Sequence, residues 1–90
     1  MKWAIDFTHD AEKFLERDRI DREEIFRMLQ GAVQKFKGEE VNINIRKLKG
    51  RWLGFYRVKR GDLRIIASFD FDRLRIFIDQ IDWRGNAYKE

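Results

Sequence analysis

The spacing of apolar residues changes at Gly38, and this change limits the folds that the chain can adopt. Before Gly38, apolar residues recur at helical spacing from Ile25 to Phe36, which predicts an amphipathic helix that ends at the glycine. After Gly38, apolar and polar residues alternate from Val41 onward, which is the period of a half-buried strand. A helical segment followed by strands predicts an α+β fold.

Elements on both sides of this helix complete the predicted order. Residues 2–7 alternate as a first strand, and Thr8 can cap a short helix that runs to about Arg17. Asp21 followed by Glu24 is a capping-box pattern, which predicts the start of the second helix. The two helices are expected to form a hairpin.

Four strands are predicted after the helical hairpin, beginning at Val41, Leu53, Leu63 and Leu74, with residues 82–90 as a polar tail. The order is therefore β-α-α-β-β-β-β. We expect an antiparallel four-stranded meander with the helices packed on one face, and an open opposite face that carries the charge. Residues 1–90 contain no repeat or linker, so a single domain is expected.

The composition excludes several kinds of chemistry. The 90 residues include no cysteine and one histidine, so a cysteine nucleophile, a thiolate site and a multi-histidine metal site are all excluded. We therefore expect no metal, no small-molecule cofactor and a reducing, cytoplasmic location. The apolar runs are too short for a membrane span, and no phosphate-binding glycine loop occurs.

Positive charge is concentrated in one part of the chain. Residues 46–64 contain eight Lys and Arg residues and a single acidic residue, Asp62. Such a run indicates a polyanionic partner. The alternative is a solvated segment that keeps a small domain soluble.

Three motifs resemble the RelE/ParE superfamily of toxins from type II toxin-antitoxin systems, and the last resembles its RelE-like branch. They are RKLKG at 46–50, FYRVKRGDLRII at 55–66 and RGNAYK at 84–89. The resemblance implies a RelE-like fold and a ribosome-dependent endonuclease that cleaves translated mRNA in the A site. Cleavage would use the ribose 2′-hydroxyl as nucleophile and no metal. It also implies a cognate antitoxin protein as a partner, in addition to the ribosome and mRNA.

The resemblance also implies roles for individual residues. The catalytic candidates are Arg57, Lys59, Arg64, Arg84 and Tyr88. The three arginines would stabilise the charge that develops on the phosphate, and Lys59 is the candidate general base. Tyr88 would either stack on a base or exchange a proton with the leaving group. The RNA-binding candidates are Arg46, Lys47, Lys49, Arg51 and Trp83, the last by stacking.

Two other functions are compatible with the same motifs. A ParE-like inhibitor of DNA gyrase shares the fold and performs no phosphoryl chemistry. An inactive homologue would bind only an antitoxin or RNA. The motif from Arg84 to Tyr88 favours the endonuclease.

Overall fold

Two helices packed on one face of a five-stranded sheet form the fold. The computed structural model describes residues 2–83. Its elements follow the predicted order, which confirms the α+β fold. They are β1 (Ala4–Phe7), α1 (His9–Asp18), α2 (Arg22–Phe36), β2 (Asn44–Lys47), a 3-10 turn (Gly50–Trp52), β3 (Tyr56–Arg60), β4 (Leu63–Asp70) and β5 (Arg75–Trp83).

The sheet has the strand order β1-β5-β4-β3-β2. Strands β2 to β5 form the predicted antiparallel meander, each strand pairing with the next along the chain. Strand β1 pairs in parallel with β5, with Ile5 opposite Ile76. The first strand therefore lies beside the last one.

The hydrophobic core lies between the helices and the inner face of the sheet. Side chains from α1 and α2 contact the inward residues of β3, β4 and β5 there. Each fully buried Ile, Leu or Met side chain contributes roughly 1.5–3 kcal/mol to folding. The largest of these in the core are Ile25, Met28, Leu29, Ile65, Ile76 and Ile78.

The helix ends follow the sequence signals with one exception. The Thr8 hydroxyl caps α1 by accepting the Ala11 N–H at 3.2 Å, and it donates to the Asp79 carbonyl at 2.6 Å. Gly38 has φ +90°, the left-handed conformation expected after α2. Asp21 is the N-cap of α2, but within residues 2–83 its side chain makes no capping hydrogen bond. The Glu24 N–H bonds to the Asp21 main-chain carbonyl instead.

Four strands begin later than predicted. Strand β1 begins at Ala4 rather than Lys2, and the Ala4 N–H bonds to the Leu74 carbonyl at 2.9 Å. Strand β2 begins at Asn44 rather than Val41, because the Ile43 N–H bonds locally to the Val41 carbonyl at 2.8 Å. Strand β3 begins at Tyr56, after the 3-10 turn. Strand β5 begins at Arg75, since Leu74 has φ +55° and ends the preceding turn in the left-handed region.

A bulge in β5 determines which residues reach each face. Ile66 pairs with Gln80 and Ala67 pairs with Ile78, so Asp79 is an extra residue on β5. The extra residue shifts the alternation by one, and Asp82 therefore points to the open face while Trp83 points to the helix side. Both belong to β5 and not to a polar tail as predicted.

Candidate nucleic-acid interface

The open face of the sheet, opposite the helices, carries side chains in rows that cross the strands. One row runs from Asn44 through Lys59 and Arg64 to Asp82. The next row is formed by Arg46, Arg57, Ile66 and Gln80. The two rows bring four predicted cations onto one surface, and we call this set the cationic ladder: Arg46, Arg57, Lys59 and Arg64.

The ladder consists of two like-charge pairs. Arg46 lies directly opposite Arg57, and Lys59 lies directly opposite Arg64. Like charges at opposite positions destabilise an antiparallel sheet by roughly 0.2–1 kcal/mol per pair. A bound anion removes this repulsion, so the arrangement favours a ligand with closely spaced negative charges.

The two arginines of β3 and β4 have hydrogen-bonding capacity to spare. The Arg57 Nη2 donates to the Asn44 Oδ1 at 2.8 Å, which orients the guanidinium along the sheet. The Nε atoms of Arg57 and Arg64 are buried and have no hydrogen-bond partner in the part of the chain that the structure describes. A guanidinium binds a phosphate through two parallel N–H donors, which either arginine can offer once its side chain turns the Nε–H group toward the ligand.

The other RNA-binding candidates are not all on this face. Lys47 pairs with Tyr56 and lies on the helix side, where the two residues line a shallow pocket with Lys35 and Phe36. Lys49 and Arg51 are exposed on the loop after β2. Trp83 contacts Phe14 of α1, with ring centroids 5.7 Å apart. The structure therefore separates Lys47 and Trp83 from the ladder.

Arg84 and Tyr88 lie outside the described residues. Their roles stay predictions from the sequence.

The structure adds three residues to the open face that the sequence reasoning did not assign to a site. Asn44 orients Arg57, Asp82 lies opposite Arg64, and Phe77 is an exposed aromatic residue on β5. The position of Phe77 on the open face could have been predicted from the sequence, because Phe77 is an outward apolar residue between the inward Ile76 and Ile78. For Asp82 the signal is the shift of the apolar alternation between Ile78 and Ile81, which the sequence analysis did not use.

Residues 2–83 contain neither a cluster of metal ligands nor a helix suited to spanning a membrane. No group of three or more His, Cys, Asp or Glu side chains there is arranged to hold a metal ion. None of the helices in this range has the length and apolar character needed to cross a membrane.

One carboxylate has a shifted pKa. The Asp70 side chain accepts the backbone N–H groups of Arg73 and Asp72, and the bond from Arg73 contributes most to lowering its pKa. Asp70 is at the turn between β4 and β5 and is not part of the ladder.

The class that this fold and face define is an α+β protein with two helices on one side of a sheet and a cationic ladder on the other. No protein-family model and no curated protein sequence matches the chain. Several solved structures do match. The RelE-like fold predicted from the sequence is confirmed by them.

Three of these structures illustrate the similarity. The toxin-antitoxin complex RelBE2 from Mycobacterium tuberculosis contains a chain with 18% identity, a TM-score of 0.59 and coverage of 93% of this chain and 100% of that one. The archaeal RelE-RelB complex from Pyrococcus horikoshii OT3 contains a chain with 23% identity and a TM-score of 0.60, and the match covers 97% of this chain and 100% of that one. The YoeB-YefM toxin-antitoxin complex from Staphylococcus aureus contains a chain with 15% identity and a TM-score of 0.62, and the match covers 93% of this chain and 99% of that one.

Proposed function

We propose that this protein is the toxin of a type II toxin-antitoxin system and cleaves translated mRNA in the ribosomal A site. The observation that carries the proposal is the cationic ladder, in which two like-charge pairs occupy adjacent rows. Such a surface is matched by the phosphates of a nucleic acid backbone. The similarity to chains in toxin-antitoxin complexes supports the same assignment.

The proposed reaction needs no metal. The ribose 2′-oxygen attacks the adjacent phosphorus, and the bond between phosphorus and the 5′-oxygen breaks. Arg57 and Arg64 bind the non-bridging oxygens, where negative charge builds up in the transition state. Lys59, between them on the same face, accepts the proton of the 2′-hydroxyl. Arg84 adds a further positive charge at the phosphate. Tyr88 either gives a proton to the departing 5′-oxygen or stacks on a base, in which case water supplies that proton.

The proposal also specifies partners and location. The enzyme acts in the cytoplasm with the ribosome and mRNA, and Lys49 and Arg51 contact RNA phosphates from their exposed loop. A cognate antitoxin neutralises the toxin by covering the open face. No small-molecule cofactor takes part.

Primer extension on a defined mRNA in a reconstituted translation reaction tests this function. The purified protein, free of antitoxin, is added with and without ribosomes. We expect cleavage within A-site codons only when ribosomes are present.

The matched variants are Arg64→Gln and Arg60→Gln. Arg60 is exposed at the end of β3, and its pairing partner, Leu63, faces the helix side. Arg64→Gln should lose at least tenfold in cleavage, which corresponds to about 1.4 kcal/mol of transition-state stabilisation. Arg60→Gln should cleave like the wild type.

Other outcomes separate the remaining functions. Normal cleavage by Arg64→Gln contradicts the site assignment. Intact RNA in every lane, together with inhibition of DNA supercoiling by gyrase, supports a ParE-like inhibitor. Intact RNA and active gyrase support an inactive homologue.

A further inference from the structure

A line of aromatic side chains continues the open face beyond the cationic ladder. Trp52 and Phe55 have ring centroids 5.7 Å apart, and Phe55 and Phe77 have centroids 6.3 Å apart. Both pairs meet edge to face, at interplanar angles of 82° and 69°. We call these three residues the aromatic strip.

Two rings of the aromatic strip pack on buried side chains of the open face. Trp52 and Phe55 pack on Leu48 and Ile66, which are fully buried in a second small cluster on the open side. Phe77 lies between two core residues of β5 and points away from them. Because rings that are packed against neighbouring side chains lose little freedom on binding, the strip is preorganised for a flat ligand.

Phe77 is the accessible part of the strip. Its side chain is 41% exposed, and it does not belong to the hydrophobic core on the other side of the sheet. In the register it stands opposite Ser68, which is the polar residue beside Phe77 on the open face. A surface of this composition recognises the face of a ring more than its hydrogen-bonding edge.

Charge is distributed unequally around the strip. On one side, Phe55 immediately precedes β3 and Arg57 follows it by two residues, so their Cα atoms are about 7 Å apart in extended backbone. On the other side, Arg75 and Asp6 form an ion pair at 3.1 Å, which is neutral overall. A ligand that covers both the ladder and the strip therefore has closely spaced anions at one end and flat apolar groups at the other.

We infer that the aromatic strip is a stacking platform for the bases of single-stranded RNA whose phosphates lie on the cationic ladder. A nucleotide places a phosphate and a planar base at a spacing that Arg57 and Phe55 can bridge. Duplex RNA has no unstacked base to offer, so the platform selects single strands. The inference rests on the proposed RNA-directed function and adds the part of the site that holds the bases.

Binding of a short fluorescently labelled RNA, measured by anisotropy at fixed low salt, tests the platform. Phe77→Ala should weaken binding about five- to a hundredfold, the range found when one base loses its aromatic partner. The matched control is Phe26→Ala, because Phe26 is 39% exposed and lies on α2, away from the open face. Phe26→Ala should bind like the wild type.

A second ligand separates stacking from charge. An abasic oligonucleotide of the same length keeps the phosphates and lacks the bases, so Phe77→Ala and the wild type should bind it equally. Phe77→Leu keeps an apolar side chain for packing and removes the ring, and it should lose RNA binding as Phe77→Ala does. Circular dichroism and thermal unfolding of each variant verify that the fold is intact.

Three results would overturn the inference. They are unchanged RNA binding by both Phe77 variants, an equal loss on the abasic oligonucleotide, or an equal loss in Phe26→Ala. An acidic peptide is a further ligand for the same assay. If the Phe77 variants lose binding to this peptide and keep binding to RNA, the inference is also overturned, and the strip is assigned to a protein partner. Because this assay contains no ribosome, its failure is distinct from a failure to cleave mRNA during translation.

Discussion

Removing one charge of the Lys59–Arg64 pair should stabilise the fold. Lys59 is half-buried on β3, with Arg64 directly across on β4 and the uncharged Asn44 on its other side. Two unit charges about 5 Å apart repel by about 0.8 kcal/mol in water. Asp82, two strands away at about 10 Å, offsets about 0.4 kcal/mol of this. Arg57, about 7 Å from Lys59 on the same face of β3, adds about 0.6 kcal/mol of repulsion. The net repulsion is about 1 kcal/mol, so Lys59→Gln should raise Tm by about 4–8 °C at low salt.

Thermal unfolding followed by circular dichroism measures this effect. At about 1 M salt the Debye length falls to about 3 Å, so the difference between Lys59→Gln and the wild type should vanish. The control is Lys13→Gln, because Lys13 lies three residues from both Asp10 and Glu16 on α1 and its charge has attractive neighbours. A lower Tm for Lys59→Gln at low salt, or a gain that persists at high salt, would refute the electrostatic argument.

Two further predictions concern the bulge and the edge of the ladder. Thr8→Val removes the α1 cap and the donor to Asp79, so the free energy of unfolding in urea should fall by about 2 kcal/mol, while Thr8→Ser stays near the wild type. A loss below about 0.5 kcal/mol would contradict the double role of this hydroxyl. The second prediction concerns Asp82→Asn, which removes the carboxylate opposite Arg64. This variant should bind a short RNA about two- to fourfold more tightly than the wild type, as measured by anisotropy. Asp72→Asn, in the turn after β4, is the control, and an equal gain in both would count against a local effect.

Local patterns in the sequence were sufficient for much of the fold. Alternation along β3 is enough to place Arg57 and Lys59 on one face, and the short hairpin that follows is enough to place Arg64 beside Lys59, as the register shows. The same alternation implies that Lys47 points away from Arg46, although the charge run grouped the two together. Charge density along a sequence therefore identified a basic region, and the strand period was needed to divide it between faces.

Features that depend on distant parts of the chain were beyond this reasoning. Nothing in residues 4–7 indicates a parallel partner in β5, because that pairing depends on how the helices return the chain to the sheet. The extra residue Asp79 shifts the apolar alternation by one residue between Ile78 and Ile81, a signal that the sequence reasoning did not use. It turns Trp83 onto Phe14 and away from the ladder, where a stacking role had been predicted for it.

The pairing of β1 with β5 has a consequence for synthesis of the protein. Thr8 and Asp79 are joined by a hydrogen bond although they are 71 positions apart, and the chain is made from the N-terminus onward. Until β5 has been synthesised, β1 has no strand to pair with, because β5 is the strand that lies between β1 and β4. The loop that must close is long, so completion of the sheet waits until β5 has left the ribosome. Premature termination before residue 75 therefore releases a polypeptide in which β1 is not joined to the rest of the sheet.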